Sequence, residues 1–440
     1  MRIRIGISLV LISSFFSSVS LAEDLMEVYA LSLKSDPQLL AELSSQHAVG
    51  ELALQASARF LPELSLSADN GRVWQDSSAQ SFGGKKDYNS HGYSLNLTQA
   101  IYRKQNFIQQ AQADIAIESA QASYLVIEQG LVVRVAERYF SVLGRQDDVT
   151  FAITEGEAIS LQLEQTQQRF DVGLATITDV VESQAAYDIA NAAVISAENE
   201  LANSKERLRE TVGLYLDSLS VLQDETPLIS PEPLDINEWS NVALNQNPNL
   251  RVAKSAVDNA GQNIELQKSG HYPSLDIVGQ KSYSSQSDSS FGGSSKTHQE
   301  SISLQFNLPL YSGGSVQSQT REAGHRLNQA MQNEELQRRT IVRQSREAYN
   351  GVISGISRVK ALKQAVASGE KALESTEAGY EVGTRTTVEV LNVRRDLFRA
   401  RRDYASSRYD YILSSLRLKQ AAGTVSLNDL NQINQWLVGQ

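Results

Sequence analysis

Two short stretches hold the residues whose types and spacing could do chemistry. In GYEVGTRTTVEVLN, Gly379 to Asn392, a tyrosine hydroxyl (Tyr380), a guanidinium (Arg385), a carboxylate (Glu389) and an amide (Asn392) surround Gly383. In RFDVGLATITDV, Arg169 to Val180, Thr178 and Asp179 follow Gly173. Such groups can exchange charge-assisted hydrogen bonds or present carboxylate to a cation. They do not form a nucleophile, base and orienting group, and no phosphate-cradling glycine loop accompanies them. His47, His91, His271, His298 and His325 are scattered without metal-ligand spacing and read as surface residues. The pairs Gly83-Gly84 and Gly292-Gly293 read as loop tips. The chain therefore reads as a protein without catalytic centre, metal or cofactor.

The two stretches are copies of each other. Tyr380 aligns with Phe170, Val382 with Val172, Gly383 with Gly173, Thr386 with Thr176, Glu389 with Asp179 and Val390 with Val180, all at an offset of 210. The offset persists: Pro248 follows Pro37 and Pro273 follows Pro62 at 211, Gly423 follows Gly213 at 210, and Phe291-Gly292-Gly293 follows Phe82-Gly83-Gly84 at 209. A period this long is a duplicated half and not a solenoid repeat. The copies differ where it matters chemically: Arg385 replaces Ala175, and Tyr380 has a hydroxyl that Phe170 lacks.

Arg2 and Arg4 precede an apolar run, Ile5 to Leu21, ending in Ser20-Leu21-Ala22. That pattern is a secretory leader over residues 1–22, cleaved before Glu23. Formal net charge is −11, and losing the leader arginines makes it more negative, which argues against a nucleic-acid partner. Cysteine is absent, so the exported chain has no disulfide, no thiolate metal site and no thiol for a lipid anchor. Membrane residence, if any, must come from the fold.

Proline placement shows which elements carry the two stretches, because an interior proline costs a helix ~3 kcal/mol. Arg103 to Phe170 and Ser315 to Tyr380 contain no proline and are rich in alanine, glutamine, glutamate and arginine. They predict two very long helices, each about 100 Å at 1.5 Å per residue. In the first, Ile108, Ala111, Ile115, Ala122, Val126, Val133, Ala136, Phe140 and Leu143 make a three-and-four seam. Return helices follow each glycine turn, Thr176 to Val212 and Thr386 to Ala422, at roughly 55 Å. Shorter helices are expected around Pro37 to Arg59 and Pro248 to Lys268. Arg394, Arg395, Arg399, Arg401, Arg402 and Arg408 read as a solvated helix face, with docking to a partner as the minority alternative.

Period-two alternation predicts strands at Leu64–Ala68, Tyr93–Leu97, Leu275–Ile277 and Ile302–Leu308. Apolar residues fall on one face and serine, asparagine, aspartate or glutamine on the other. That suits a sheet between lipid and water, or a half-buried soluble hairpin. Four strands are too few to close a barrel around a water-filled lumen, and open edges are not viable in lipid. The chain must either stay soluble or share a barrel with its own copies.

GYEVGTRTTVEVL, RFDVGLATITDV and the NLPLYSGG run, Asn307 to Gly314, resemble the TolC family of outer-membrane efflux and secretion ducts, the outer membrane factors. The resemblance spans essentially the whole mature chain. It implies a mostly helical α+β membrane protein in which three chains share a 12-stranded β-barrel above a coiled-coil α-barrel tunnel. The organisation expected is a leader over 1–22; a first repeat over 23–226 with its β-hairpin at about 62–102; a linker over 227–235; a second repeat over 236–425 with its hairpin at about 273–311; and a tail over 426–440.

The resemblance further implies a homotrimer in the outer membrane, reaching into the periplasm and meeting outer-membrane lipid. A periplasmic adaptor and an inner-membrane transporter of RND, ABC or MFS type would be its partners, in drug efflux, type I protein secretion or both. By the same resemblance, Tyr380 and Arg385 bond to Asp179 and Thr178 and hold the tunnel end closed, with Gly173 and Gly383 at the tunnel-end turns. Glu389 forms an acidic entrance ring, and Asn392 occupies the position of a second ring where the family commonly has aspartate. A pore-less periplasmic coiled-coil adaptor or scaffold is the alternative reading; it would share the long helices but need no alternating hairpins.

Overall fold

The computed structural model describes residues 22–77, 84–288 and 293–438. Nearly all of the expected leader, and Phe82, Gly83, Phe291 and Gly292 of the repeated loop pairs, lie outside the described residues. Two helices dominate: α3 (Lys104–Asp171, 68 residues) and α7 (Ser315–Glu381, 67 residues). Each turns back into a helix of 36 residues, α4 (Ile177–Val212) and α8 (Thr387–Ala422), which ends at a left-handed glycine, Gly213 or Gly423. The seam read from sequence is only partly satisfied inside one chain: Ile108, Ala122, Val133, Ala136, Phe140 and Leu143 are buried, whereas Ala111, Ile115 and Val126 remain half-exposed.

Shorter helices precede each hairpin. In the first repeat these are α1 (Leu25–Ser35) and α2 (Pro37–Ala58); in the second, α5 (Ile236–Gln246) and α6 (Pro248–Lys268). Asp36 and Asn247 end one helix and cap the next, each followed by proline at the first helical position, where its missing N–H costs nothing. The C-terminal tail is part of the core, and the 227–235 strap runs over it, packing Leu228 against it and burying Pro231. Helix α9 (Leu427–Asn434) buries Leu430 and Ile433, and β6 (Leu437–Val438) pairs with β3 (Val221–Leu222). With Tyr139, Phe140, Tyr409, Tyr411 and Trp239 they form one apolar cluster midway along the long helices.

The strands are longer than the alternating segments alone indicate. β1 (Glu63–Ser77), β2 (Gly84–Arg103), β4 (Ser274–Gln286) and β5 (Ser295–Asn307) form a single antiparallel sheet in the order β1-β2-β4-β5. β5 stops short of Pro309, which has no N–H for a ladder. Register places Leu66 opposite Leu95, Ile277 opposite Leu304 and Leu275 opposite Phe306 on one face. Ser67 opposite Ser94, Gln280 opposite Ser301 and Val278 opposite Ser303 share the other. The apolar face stays bare, with Ile302 80% and Leu66 71% exposed. β1 and β5 each have one neighbour, so both edges of the sheet are open.

Candidate functional site

The two glycine stretches form the tips where α3 turns into α4 and α7 into α8. Gly173 (φ +79°) and Gly383 (φ +78°) supply the left-handed residue each turn requires. The N–H after each glycine reaches back five residues, Leu174 to the Arg169 carbonyl at 2.7 Å and Thr384 to that of Gly379 at 2.8 Å. Thr176 and Thr386 then start the return helices with reciprocal capping boxes, closed by Asp179 and Glu389 at the third helical position. The shared acid of the two repeats thus has a local duty: it binds the free N–H of its own cap, at 2.8 Å for Asp179 and 2.7 Å for Glu389.

At the second tip Glu389 also accepts from Arg385 Nη1 at 2.7 Å. The Thr386 backbone N–H, first, and the Arg385 guanidinium, second, hold its carboxyl below the usual carboxylate range. Tyr380 engages neither Asp179 nor Thr178 within the chain. Its hydroxyl lies 3.4 Å from Thr387 Oγ1, and its ring is covered by the Arg169 guanidinium at 4.6 Å. Thr178 is exposed, and Asn392 accepts from Arg395 at 2.9 Å. In a single chain, then, Arg385, Glu389 and Thr386 form one group, Asp179 and Thr176 a second, and Tyr380 reaches the first hairpin through Arg169.

The contacts of two residues that matter here are not visible in sequence. Arg169 is the twin of Gly379 at the same offset of 210, an arginine facing a glycine inside the aligned motif. Arg394 falls in a row that reads from sequence as a solvated face, but its side chain is only 13% exposed. It donates to the Ala158 carbonyl at 2.7 Å and to Glu377 at 2.5 Å. Others of the row are engaged as well: Arg401 pairs with Glu370 at 2.7 Å, Arg402 with Glu155 at 3.5 Å, and Arg408 donates to Thr226 at 3.1 Å. The five histidines are exposed, and among the described residues no cluster of metal-ligating side chains occurs.

An apolar face bare of protein, a polar opposite face, two open sheet edges and a paired helical hairpin below define a class: a barrel-forming channel protein whose helices extend the pore away from the membrane. The chain belongs to the outer membrane efflux protein family, whose sequence profile matches residues 28–214 and 239–424, one match per repeat. It is an outer-membrane protein. It is 37% identical over 423 residues to the outer membrane protein TolC of Vibrio cholerae, covering 96% of this chain and 95% of that one. It is 27% identical to the alkaline protease secretion protein AprF of Pseudomonas aeruginosa, covering 93% and 86%. Its fold matches the CmeC outer membrane channel of Campylobacter jejuni with a TM-score of 0.78 at 15% identity, over 94% of this chain and 90% of that one. The family and the four-stranded sheet displace the pore-less scaffold reading.

Proposed function

We propose that three copies of this chain close a 12-stranded barrel and a helical tunnel, forming a passive exit duct for tripartite drug efflux, type I protein secretion or both. The observation that carries this is the open four-stranded sheet with its bare apolar face. Neither edge is tolerable in hydrocarbon, and pairing β5 of one copy with β1 of the next removes both. The polar face then lines water and the apolar face meets lipid. The long helices, without an apolar span among the described residues, form the periplasmic conduit. A periplasmic adaptor and an inner-membrane transporter of RND, ABC or MFS type deliver substrate and supply the energy. The family membership and the likeness to a protease secretion protein support that assignment.

The helical tips are the closed end of the duct in this reading. On assembly Arg385 and Tyr380 would bond to Asp179 and Thr178 and hold the end closed, Arg385 exchanging its intrachain partner Glu389 for them. Glu389 rings the entrance, and the amide of Asn392 leaves the second ring position uncharged. Native mass spectrometry together with planar-bilayer conductance tests the reading. A conducting trimer is the expected result; a monodisperse monomer, or a trimer without conductance, overturns it.

A further inference from the structure

The first helical hairpin, α3 with α4, and the second, α7 with α8, meet above the tips along α3 and α8. Arg394 sits at this seam with most of its side chain buried. One guanidinium nitrogen donates to the Ala158 carbonyl of α3 and another to Glu377 of α7, while the residue itself belongs to α8. The Ala158 carbonyl is a main-chain acceptor inside a helix, so this contact ties the Arg394 side chain of α8 directly to the backbone of α3 and does not join two mobile side chains. A guanidinium suits that task because its planar fork serves two acceptors at once and keeps its charge. Eight residues along, two helical turns, Arg402 of α8 meets Glu155 of α3 at 3.5 Å, with the carboxylate 12% exposed. A second cross-hairpin contact therefore lies farther from the tips than the first.

We propose that Arg394 is a positioning residue of the gate, a clasp behind the tips that holds the second hairpin against the first and must let go of Ala158 before the tunnel end can widen. The inference rests on the duct reading above and adds to it a residue outside the two glycine stretches. Because one partner is a carbonyl in the first hairpin and the other a carboxylate in the second, opening that separates the hairpins breaks the Ala158 bond and spares the Glu377 pair. The arginine then stays charge-compensated in both states, which makes the clasp reversible.

Single-channel conductance of reconstituted trimers tests this. Arg394→Gln, which shortens the reach and removes the charge, is expected to raise conductance several-fold; Arg394→Lys, able to serve one acceptor but not both, is expected to fall between it and the parent. Arg326→Gln serves as control, since Arg326 pairs with Glu322 one turn away on its own helix α7. The chain has no cysteine, so Ala158→Cys with Arg394→Cys can be bridged by a bis-thiol reagent spanning an arginine side chain. Bridging should return conductance to the parent level, and the unbridged protein should conduct like Arg394→Gln. A merely structural role would not produce that rescue. Should Arg394→Gln fail to assemble, the bridged and unbridged cysteine pair alone decides. A conducting parent whose Arg394→Gln variant, or unbridged cysteine pair, conducts identically overturns the clasp; a parent that does not conduct overturns the duct reading instead.

Discussion

At the scale of residues, the tips are organised by capping, and the proposed gate is built on those capped turns. The acid of each repeat is bound to its own helix start, and Arg385 is bound to that acid. In the proposed latch, opening would therefore exchange partners and would not create or destroy a charge. Tyr380→Phe with Arg385→Ser should raise single-channel conductance and leave trimer stability nearly unchanged, since three links of ~0.5–1.5 kcal/mol each bias a closed state by only a few kcal/mol. The proposed entrance ring at Glu389 also bears on cation block. Polyvalent cations added from the periplasmic side should block the parent weakly; Glu389→Gln should abolish the block, and Asn392→Asp should tighten it. Titration of current against cation concentration reads all three, and an unchanged midpoint in Glu389→Gln would place this carboxylate away from the mouth. Acid acts on the same group. Its carboxyl is depressed in the folded chain, so its cap is intact above 4.5, the ordinary value, and lost as pH falls through the lower folded value.

Helices and strands were legible in sequence to different depths. The long helices could be read because proline is missing from them and the glycine turns delimit them. The sheet could be read as alternation, but its full length could not, since β1 beyond Ala68 runs through Asp69, Asn70 and Gly71, residues that propensity assigns to turns. Tertiary pairing with β2 overrides that preference. The tail and strap read as connections because their short apolar patterns acquire meaning only against the mid-height core. Arg394 was misread for a related reason. Its carbonyl partner lies 236 residues away in sequence and belongs to no side chain.

The mid-height core also supplies a sign-definite test. Burial pushes the Asp147 carboxyl up against the pull of Tyr409, whose hydroxyl donates to it at 2.7 Å, and of Arg408. A raised folded value means stability falls as pH rises from 3.8, the ordinary value, through the folded one. Asp147→Asn keeps an oxygen for Tyr409 and removes that loss. Denaturant unfolding should find the variant more stable than the parent at pH 7 and no more stable at pH 3; equal stability at pH 7 would mean the carboxylate is not desolvated. At the tips, Gly383→Ala forces a left-handed alanine at a cost of roughly 1–2 kcal/mol. It should speed amide exchange around 380–390 while the assembly stays intact.

For the whole molecule, a shared barrel requires one face of the sheet to meet lipid and the other water, and adjacent residues on one strand can tell the two faces apart. Ile302 lies on the apolar face opposite Gly279, and Ser303 lies on the polar face opposite Val278. The strand alternates, so one arginine scanned across these two neighbours samples hydrocarbon and then lumen with the same backbone and edge pairing. On the lipid face a midplane arginine costs ~2–4 kcal/mol per chain, and three chains carry it. Ile302→Arg should therefore sharply reduce the yield of folded trimer on refolding into phospholipid vesicles. Ser303→Arg should assemble like the parent but conduct less, because three guanidinium groups narrow and charge the lumen. Its current should shift towards anions. If both variants assemble equally and neither alters ion selectivity, the sheet does not separate lipid from water, and the shared barrel would have to be abandoned even for a trimeric protein.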